Sequence, residues 1–225
     1  MNRSQDHHSW DSYWDRHEHS SRVLYDAIAS FYRKHVIKHS LNYYVKRYYA
    51  DQSILLHAGC GSGQVDVDIH HCHRIIPLDI SMNALSLYAK SIPRPADRIR
   101  GDIFHLPFSD ETFDGIYNLG VMEHFSEGDI QAILGEFRRV LKKEGLLILF
   151  WPPEYGLSVV FFKALVFVFR NILFKKDAAF HPPELTRIQS RRHIHDMMDR
   201  SKFKMIQYHF GIRDLFTYAV IVAKK

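Results

Sequence analysis

Residues 54–63 read ILLHAGCGSG, a short apolar run that leads into three glycines at alternate positions, Gly59, Gly61 and Gly63. Glycine allows a sharp turn and a close approach of the backbone to a ligand, and N–H groups at a helix start attract anionic or electron-rich groups. We therefore expect a buried strand, a ligand-binding loop and a short helix, in this order. A nucleoside or a carboxylate is the ligand that such a loop favours.

The glycine spacing distinguishes between two kinds of nucleotide site. Dinucleotide-binding folds use G-x-G-x-x-G, but the third position is Gln64 when counted from Gly59 and Asp66 when counted from Gly61. The observed G-x-G-x-G therefore disfavours a nicotinamide oxidoreductase. A tight strand–helix turn without any ligand is the simpler alternative.

After Asp51 the chain alternates short apolar runs with amphipathic segments, which is typical of βαβ units around a parallel sheet. We place strands at residues 53–59, 74–80, 97–103, 113–120, 145–151, 202–210 and 215–225. Helices are expected after Gly63, over 81–91, over 127–142, and from Pro182–Pro183 with Glu184 in the first turn. The pattern predicts an α/β, Rossmann-like fold with a doubly wound, mostly parallel seven-stranded sheet and helices on both faces.

Polar residues follow three strands of this predicted sheet. Asp79 ends the second strand, Asp102 follows the third and Asn118 lies in the fourth. Open α/β sheets bind ligands at the carboxyl edge of their strands, where an acid about twenty residues after the glycine loop holds the ribose hydroxyls. We expect this role for Asp79. The alternative is that Asp79 is the N-cap of the helix that begins near Ser81.

The first fifty residues are predicted to form an N-terminal arm. Residues 1–21 are polar and contain Trp10, Tyr13 and Trp14, which predicts an arm or short helix that the main domain must order. Residues 22–50 have apolar positions at helical spacing. We divide the chain into an N-terminal helical arm packed on the core, residues 1–50, and one domain, residues 51–225.

Composition restricts the class of protein. The 225 residues carry a net charge of +5, which is too small and dispersed to imply nucleic acid but would suit an anionic membrane surface. The chain has two cysteines, and no apolar run follows its first charges. Both features favour the cytoplasm, with the inner face of the membrane as a peripheral contact. Nothing in the composition predicts the oligomeric state.

Residues 157–174, LSVVFFKALVFVFRNILF, are the most apolar segment of the chain. Lys163 and Arg170 each cost roughly 2.5–3.5 kcal/mol at a membrane centre, which disfavours a membrane span. Three roles remain for the segment. It could pack on the protein's own core, form a lid within an insertion at 152–182 over an apolar acceptor, or dock through 157–176 on anionic headgroups.

With these residues in place, the stretch from about Ser53 to Trp151 resembles the class I S-adenosylmethionine-dependent methyltransferases. The subgroup is that of small-molecule enzymes (type 11), which includes quinone-biosynthesis methyltransferases. The motifs are HAGCGSG, LDIS, GDIFHLPFSDETFDGIYNLGVMEHF and RRVLKKEGLLILFWPP. The resemblance implies methyl transfer from S-adenosylmethionine to a small-molecule acceptor, with S-adenosylhomocysteine as the product. The apolar segment 157–174 predicts that this acceptor is hydrophobic or lipid-like.

The resemblance also implies roles for individual residues. The glycine loop with Cys60, and His57 before it, would border the methionine and ribose, and Asp79 and Ile80 would lie at the ribose. Asp102 would bind the adenine amino group with Ile103 beside the ring, and Asn118 and Leu119 would lie under the sulfonium. His124 would face the acceptor as the first choice for a general base, ahead of Glu123, Glu154 and His181. The aromatic residues of the arm would close over the cofactor.

Two features depart from the family pattern. His57 stands where the family usually has an acid, and residues 65–70 alternate apolar and polar side chains where the family has a helix. His57, together with the absence of a clear base, keeps a second function open, that of a non-catalytic cofactor-binding regulator or membrane adaptor. The run His70-His71-Cys72-His73 and the pair His193 and His195 do not predict a metal site, because adjacent residues rarely point at one ion.

Overall fold

The computed structural model describes residues 10–14, 30–92, 97–156 and 184–225. They form a seven-stranded sheet in the order β3-β2-β1-β4-β5-β7-β6. The strands are β1 Ile54–Ala58, β2 Arg74–Asp79, β3 Ile99–Arg100, β4 Phe113–Leu119, β5 Leu141–Trp151, β6 Lys204–Phe210 and β7 Ala219–Lys224. Strands β1 to β5 pair in parallel, whereas β7 is antiparallel to both β5 and β6. The predicted doubly wound, mostly parallel class is confirmed.

Helices cover both faces of the sheet, as the sequence predicts. They are α1 Lys38–Tyr48, continuous with a π-helical turn at Arg33–Ile37, α2 Met82–Ser91, α3 Glu127–Val140 and α4 Arg191–Arg200. Helix α1 buries Leu41, Tyr44 and Val45 against one face. Helices α3 and α4 contribute to the apolar cluster on the other face. The sheet is thus the middle layer, and its carboxyl edge remains for the site.

The predicted helix after Gly63 is wrong. Residues 64–68 form turns, followed by a single 3-10 turn at Ile69–His71. Because apolar and polar residues alternate here, no single helix face would collect the apolar ones. The turns instead bury Val65 and Ile69 together with Asp66, whose side chain is 0% exposed.

The helix predicted from Pro182–Pro183 is also wrong at its start. Residues 184–190 are not helical, because the N–H groups of Leu185 and Thr186 donate to the carbonyl of Glu123. Helix α4 begins at Arg191, and the Ser190 hydroxyl caps it by accepting from the His193 N–H at 3.1 Å.

Strand β5 begins earlier than the sequence predicts. Helix α3 ends at Val140 rather than 142, and β5 follows it directly at Leu141, four residues before the predicted start at Gly145. The extra residues include Glu144 with a φ of 66°. Because the strand starts irregularly, residues 141–144 lack the apolar pattern by which the sequence predicts a strand.

Parts of the predicted organisation lie outside the described residues. These are the apolar segment 157–174, most of the insertion 152–182, the predicted helix start Pro182–Pro183, and residues 1–9 and 15–29 of the arm. Within the described ranges, no helix has the length and apolar character that crossing a membrane requires. The division at residue 50 and the roles of the apolar segment stay predictions.

Candidate functional site

The glycine loop needs its glycines for both conformation and packing. Gly59, Gly61 and Gly63 have φ values of 72°, 52° and 69°, a region that L side chains rarely adopt. A Cβ at Gly59 would lie 2.6 Å from Val121, and one at Gly63 would lie 2.5 Å from Tyr88. The loop is therefore a tight cradle between strand β1 and the residues that follow β4.

The N–H groups of this loop are used within the protein. Those of Gly59 and Cys60 donate to the Leu78 carbonyl at 2.8 and 3.0 Å, and that of Gly61 donates to Asp79 Oδ2 at 2.9 Å. We expected free N–H groups at a helix start to attract a ligand. That expectation is wrong for these residues, because no helix follows the loop and their N–H groups are already bonded. The loop contributes a shaped backbone surface to the site instead.

Asp79 fixes the loop from the neighbouring strand. It is 7% exposed, and its second oxygen, Oδ1, accepts from the Ser81 N–H at 2.9 Å. Burial raises the pKa of Asp79, while hydrogen bonds from Ser81 and Gly61 oppose this effect. The N-cap of α2 is Ser81, whose hydroxyl accepts from the Ala84 N–H, so the N-cap alternative for Asp79 is wrong. Each carboxylate oxygen keeps a further lone pair for a ligand hydroxyl.

The end of β3 lies beside Asp79. The Gly101 N–H donates to the Asp79 carbonyl at 3.0 Å, which puts Asp102 next to the second strand. Asp102 Oδ1 accepts from the Phe104 N–H at 2.9 Å. Ile103 is 8% exposed and packs in the main core cluster, and the Ile80 carbonyl accepts from Arg100. The structure thus brings the predicted ribose and adenine residues to one edge.

Asn118 joins strand β4 to the glycine loop. Its side chain is fully buried, and Nδ2 donates to the Ala58 carbonyl at 2.6 Å. Among the described residues, Oδ1 has no hydrogen-bond partner. An unpaired buried acceptor is costly, so a donor or positive charge placed over it would be stabilised. Leu119, half-buried, follows it at the end of β4.

Residues 10–14 of the arm lie across this edge. The Trp10 ring meets the His124 ring edge to face at 5.0 Å, and the Trp14 ring lies 3.1 Å from where a Cβ on Gly61 would stand. Between them, Asp11 accepts from the Ser81 hydroxyl at 2.6 Å. The arm therefore connects the glycine loop with the turn that holds His124.

Glu123 is the buried titratable group of that turn. It is 4% exposed, and its Oε2 has no hydrogen-bond partner in the described part of the chain. Burial raises its pKa to about 8, the charge of Glu184 adds to this, and Arg187 opposes it. Its Oε1 and the Tyr218 hydroxyl both border Gly120. Of the other predicted bases, Glu154 is exposed and His181 lies outside the described residues.

His57 has a partner that the sequence did not reveal. Its Nδ1 lies 2.7 Å from Asp66 Oδ2, and the Tyr88 hydroxyl donates to the same oxygen at 2.8 Å. The only sequence signal of Asp66 was the interrupted helical pattern around it. Tyr88 gave no signal, because its position suits an ordinary apolar face of α2.

A groove of about 650 Å³ borders the other side of the loop. Its lining includes Trp14, Ser62, Gln64, Arg33 and Lys34. None of the polar residues at the carboxyl edge lines it, so the groove and the edge are separate features. For metals, the described ranges contain no group of three or more His, Cys, Asp or Glu that could hold an ion.

Comparisons with known proteins agree with this fold. Residues 56–149 match the family described as "Methyltransferase domain". The chain is 31% identical over 99 residues to malonyl-[acyl-carrier protein] O-methyltransferase of Yersinia pestis, covering 42% of this chain and 35% of that protein. The chain spans only 35% to 49% of the length of the curated relatives it matches.

Solved structures share the fold over most of the chain. Magnesium protoporphyrin IX methyltransferase from Synechocystis PCC 6803, solved with bound S-adenosylhomocysteine, aligns with a TM-score of 0.68 at 14% identity over 100% of both chains. The [4+2]-cyclase SpnF aligns with a TM-score of 0.61 at 17% identity, over 84% of this chain and 81% of that one. At these identities the likeness shows the fold alone, and the second match shows that one fold serves different reactions.

Proposed function

Because the chain carries a class I S-adenosylmethionine-dependent methyltransferase domain, we propose that it transfers the methyl group of S-adenosylmethionine to a hydrophobic small-molecule or lipid-like acceptor. The observation that carries this proposal is the arrangement at the carboxyl edge of β1 and β2. Three glycines at positive φ form the loop there, and the buried Asp79 accepts a hydrogen bond from the Gly61 N–H. Ribose hydroxyls would donate to Asp79, and the ligand would lie on the glycine surface.

The residues present fit this cofactor. Its sulfonium carries a positive charge, and the unpaired Oδ1 of Asn118 lies in the strand next to the glycine loop. Asp102 would accept from the adenine amino group. Bound in this way, S-adenosylmethionine supplies an activated methyl group, so the protein needs chiefly to orient the acceptor and exclude water.

An apolar acceptor is supported by what surrounds the site. The apolar segment 157–174 follows Gly156 in the sequence, and a Cβ at Gly156 would lie 3.1 Å from the Thr217 carbonyl, next to Tyr218. On the other side of the segment, the Leu185 N–H donates to the Glu123 carbonyl. The described residues that flank the segment thus adjoin the proposed acceptor side. We further propose a cytoplasmic protein whose residues 157–176 contact the inner membrane face.

An oxygen or nitrogen acceptor would need a base, and two residues of one turn can serve. His124, the first choice from the sequence, packs against Trp10. Glu123 is buried, and its pKa of about 8 matches proton exchange near neutral pH. We propose Glu123 as the proton acceptor, with His124 and Trp10 bordering the acceptor.

The first test is isothermal titration of the protein with S-adenosylmethionine and S-adenosylhomocysteine, with NAD as the control. Micromolar binding of the first two and none of NAD is expected. A second step is incubation with lipid-like acceptors and detection of S-adenosylhomocysteine. Binding without any product across hydroxyl, amine and carboxylate acceptors would favour the non-catalytic regulator or adaptor, and binding of NAD alone would contradict the proposal.

A further inference from the structure

The groove of about 650 Å³ beside the glycine loop takes no part in the proposed reaction. Five basic residues line it: Arg33, Lys34, His35, Lys38 and Lys90. None of its described lining residues is acidic. Positive charges gathered in one concave place repel each other, and a groove lined by one sign of charge attracts ligands of the opposite sign. The groove is therefore suited to an anion.

Three of the basic residues are consecutive and lie in the π-helical turn at Arg33–Ile37. A π-helix has i→i+5 hydrogen bonds and hence more residues per turn than an α-helix, so successive side chains are spread less widely around its axis. Arg33, Lys34 and His35 thus line one groove together. Single π-helical turns are rare and are frequent at functional sites.

Hydrogen bonds and an ion pair join the N-terminal helical segment to the turns after the glycine loop. Gln64 Oε1, in these turns, accepts from Ser30 Oγ at 3.2 Å and from Arg33 Nε at 3.3 Å. Further along the helix, Lys38 pairs with Asp68 at 3.1 Å. The two walls of the groove are therefore fixed to each other, and its basic residues do not form a loose surface patch.

Three cations of the groove have no acidic partner. Asp68 neutralises Lys38, but no ion pair of Arg33, Lys34 or Lys90 is found within the described ranges. Because Gln64 uses only Nε of Arg33, the two terminal amino groups of the guanidinium are left for a ligand. Guanidinium groups bind phosphate through paired hydrogen bonds, and lysines add point charges. These cations therefore favour a phosphate group.

Apolar side chains line the same groove. Val67, which is 36% exposed, lies in the turns after the glycine loop, and Leu87 lies on α2. Trp14 of the arm also lines the groove and packs against Gly61. Inorganic phosphate would contact the cations alone, whereas a phospholipid has apolar carbon atoms next to its phosphate. The mixed lining therefore favours an amphiphile with a phosphate headgroup.

We propose that this groove binds the headgroup of an anionic phospholipid. The phosphate contacts the unpaired cations, and the glycerol and first acyl carbons lie against Val67 and Leu87. The inference goes beyond the proposed function, because the groove holds neither the cofactor nor the methyl acceptor. Since Trp14 borders both the groove and the glycine loop, a lipid bound here brings the methyltransferase site next to a membrane surface.

The test is calorimetric titration of the protein with dihexanoyl phosphatidylglycerol, below the concentration at which this lipid forms micelles. The comparison ligands are the zwitterionic dihexanoyl phosphatidylcholine and inorganic phosphate. We expect the anionic lipid to bind at least about tenfold more tightly than either of them. A monomeric lipid separates the groove from docking of residues 157–176, which requires a membrane interface.

Charge-matched variants locate the binding. Lys34→Gln/Lys90→Gln removes two unpaired cations and should weaken binding of the anionic lipid at least about tenfold. Lys46→Gln/Lys143→Gln removes the same charge from exposed lysines outside the groove lining and should change the affinity by less than about twofold. Val67→Ser removes apolar surface, so it should weaken binding of the lipid and leave that of inorganic phosphate unchanged.

Each outcome of the titrations decides a point. Equal weakening by the two double variants would show attraction by overall charge alone and overturn the inference. Absence of lipid binding, or equal affinities for inorganic phosphate and the anionic lipid, would overturn it as well. Tighter binding of a short single-stranded RNA than of the lipid would assign the groove to nucleic acid. S-adenosylhomocysteine titrated into the unaltered protein tests the proposed function separately, because the carboxyl edge lies outside the groove.

Discussion

At the scale of single residues, Asp79 shapes the site before any ligand is considered. Its two oxygens hold the N–H groups of Gly61 and Ser81, so the residue orders the glycine loop and the start of α2 together. A ribose would use the remaining lone pairs of an already fixed carboxylate. Preorganisation of this kind lowers the cost of binding.

Replacement of Asp79 should therefore weaken cofactor binding without unfolding the protein. In Asp79→Asn an amide faces the backbone donors and ribose hydroxyls, and we expect a loss of about 1–3 kcal/mol in S-adenosylhomocysteine affinity by calorimetry. Asp97→Asn, at a side chain that is 68% exposed, is the matched control and should bind normally. Equal affinities for the two variants would remove Asp79 from the ribose site.

Glu123 should make stability depend on pH in a defined direction. Its pKa is about 8 in the folded protein and about 4.3 in an unfolded chain, so the folded state holds one more proton between these values. The stability from this group is complete below the unfolded pKa and is lost as pH rises through about 8, at up to roughly 1.4 kcal/mol per pH unit.

The variant Glu123→Gln cannot titrate and isolates this effect. In urea unfolding from pH 5.5 to 8.5, the unaltered protein should lose about 2–4 kcal/mol relative to Glu123→Gln. Glu154→Gln, at an exposed glutamate after β5, should follow the unaltered protein. Parallel pH profiles for the unaltered protein and Glu123→Gln would show that Glu123 is ionised in the folded state.

At the scale of elements, the arm at residues 10–14 is the part that closes the site. Trp14 lies against Gly61 and Trp10 against His124, so the arm spans the proposed cofactor and acceptor sides. We expect Trp14→Ala to speed the release of S-adenosylhomocysteine by about tenfold, which is ~1.4 kcal/mol, as measured by surface plasmon resonance. Phe31→Ala, at an aromatic that is 64% exposed just before the π-helical turn at Arg33–Ile37, should leave release unchanged. An unchanged rate in Trp14→Ala would contradict a covering role.

The elements also show what local sequence patterns can predict. All seven strands were predicted, because short apolar runs between turn residues arise from burial in the sheet itself. The helix after Gly63 and the helix start at Pro182–Pro183 were wrong for a shared reason. In both places a distant partner decides the conformation: β1 binds Asp66, and the Glu123 carbonyl binds Leu185 and Thr186. The alternation at residues 65–70 argues against a helix after Gly63, but no local pattern encodes the contacts that take its place.

The site was predictable to the same extent. Gly59, Gly61, Gly63, Asp79 and Asn118 follow from their places at strand ends, and the structure brings them together. Asp66 and Tyr88 did not follow, because their importance depends on how two turns fold back on β1. The sequence therefore predicted the residues at the strand ends of the candidate site. The buried side chains that pack beneath the glycine loop were found only in the structure.

At the scale of the whole molecule, helix α1 and the sheet share one core. The Tyr49 hydroxyl, just after α1, shares its one proton between the carbonyls of Ile116 and Leu146, at 3.1 and 3.0 Å. Its ring covers Gly115 in the middle of β4. The N-terminal helix is thus fastened to two central strands, and the site edge between them depends on that attachment.

Gly115 should be intolerant of any side chain for this reason. A Cβ there would lie 2.1 Å from the Tyr49 ring, and the ring is held by the shared hydrogen bond of its hydroxyl and is 7% exposed. Overpacking of a rigid core typically costs 1–3 kcal/mol, and we expect Gly115→Ala to lose about 2–3 kcal/mol in urea unfolding. Gly135→Ala is the matched control, since nothing lies within 4 Å of its added Cβ in α3. That variant should gain about 0.5–1 kcal/mol from helix propensity. If both substitutions were neutral, the N-terminal helix would not be fastened to the sheet through Tyr49, and the arm would have to reach the site by another attachment.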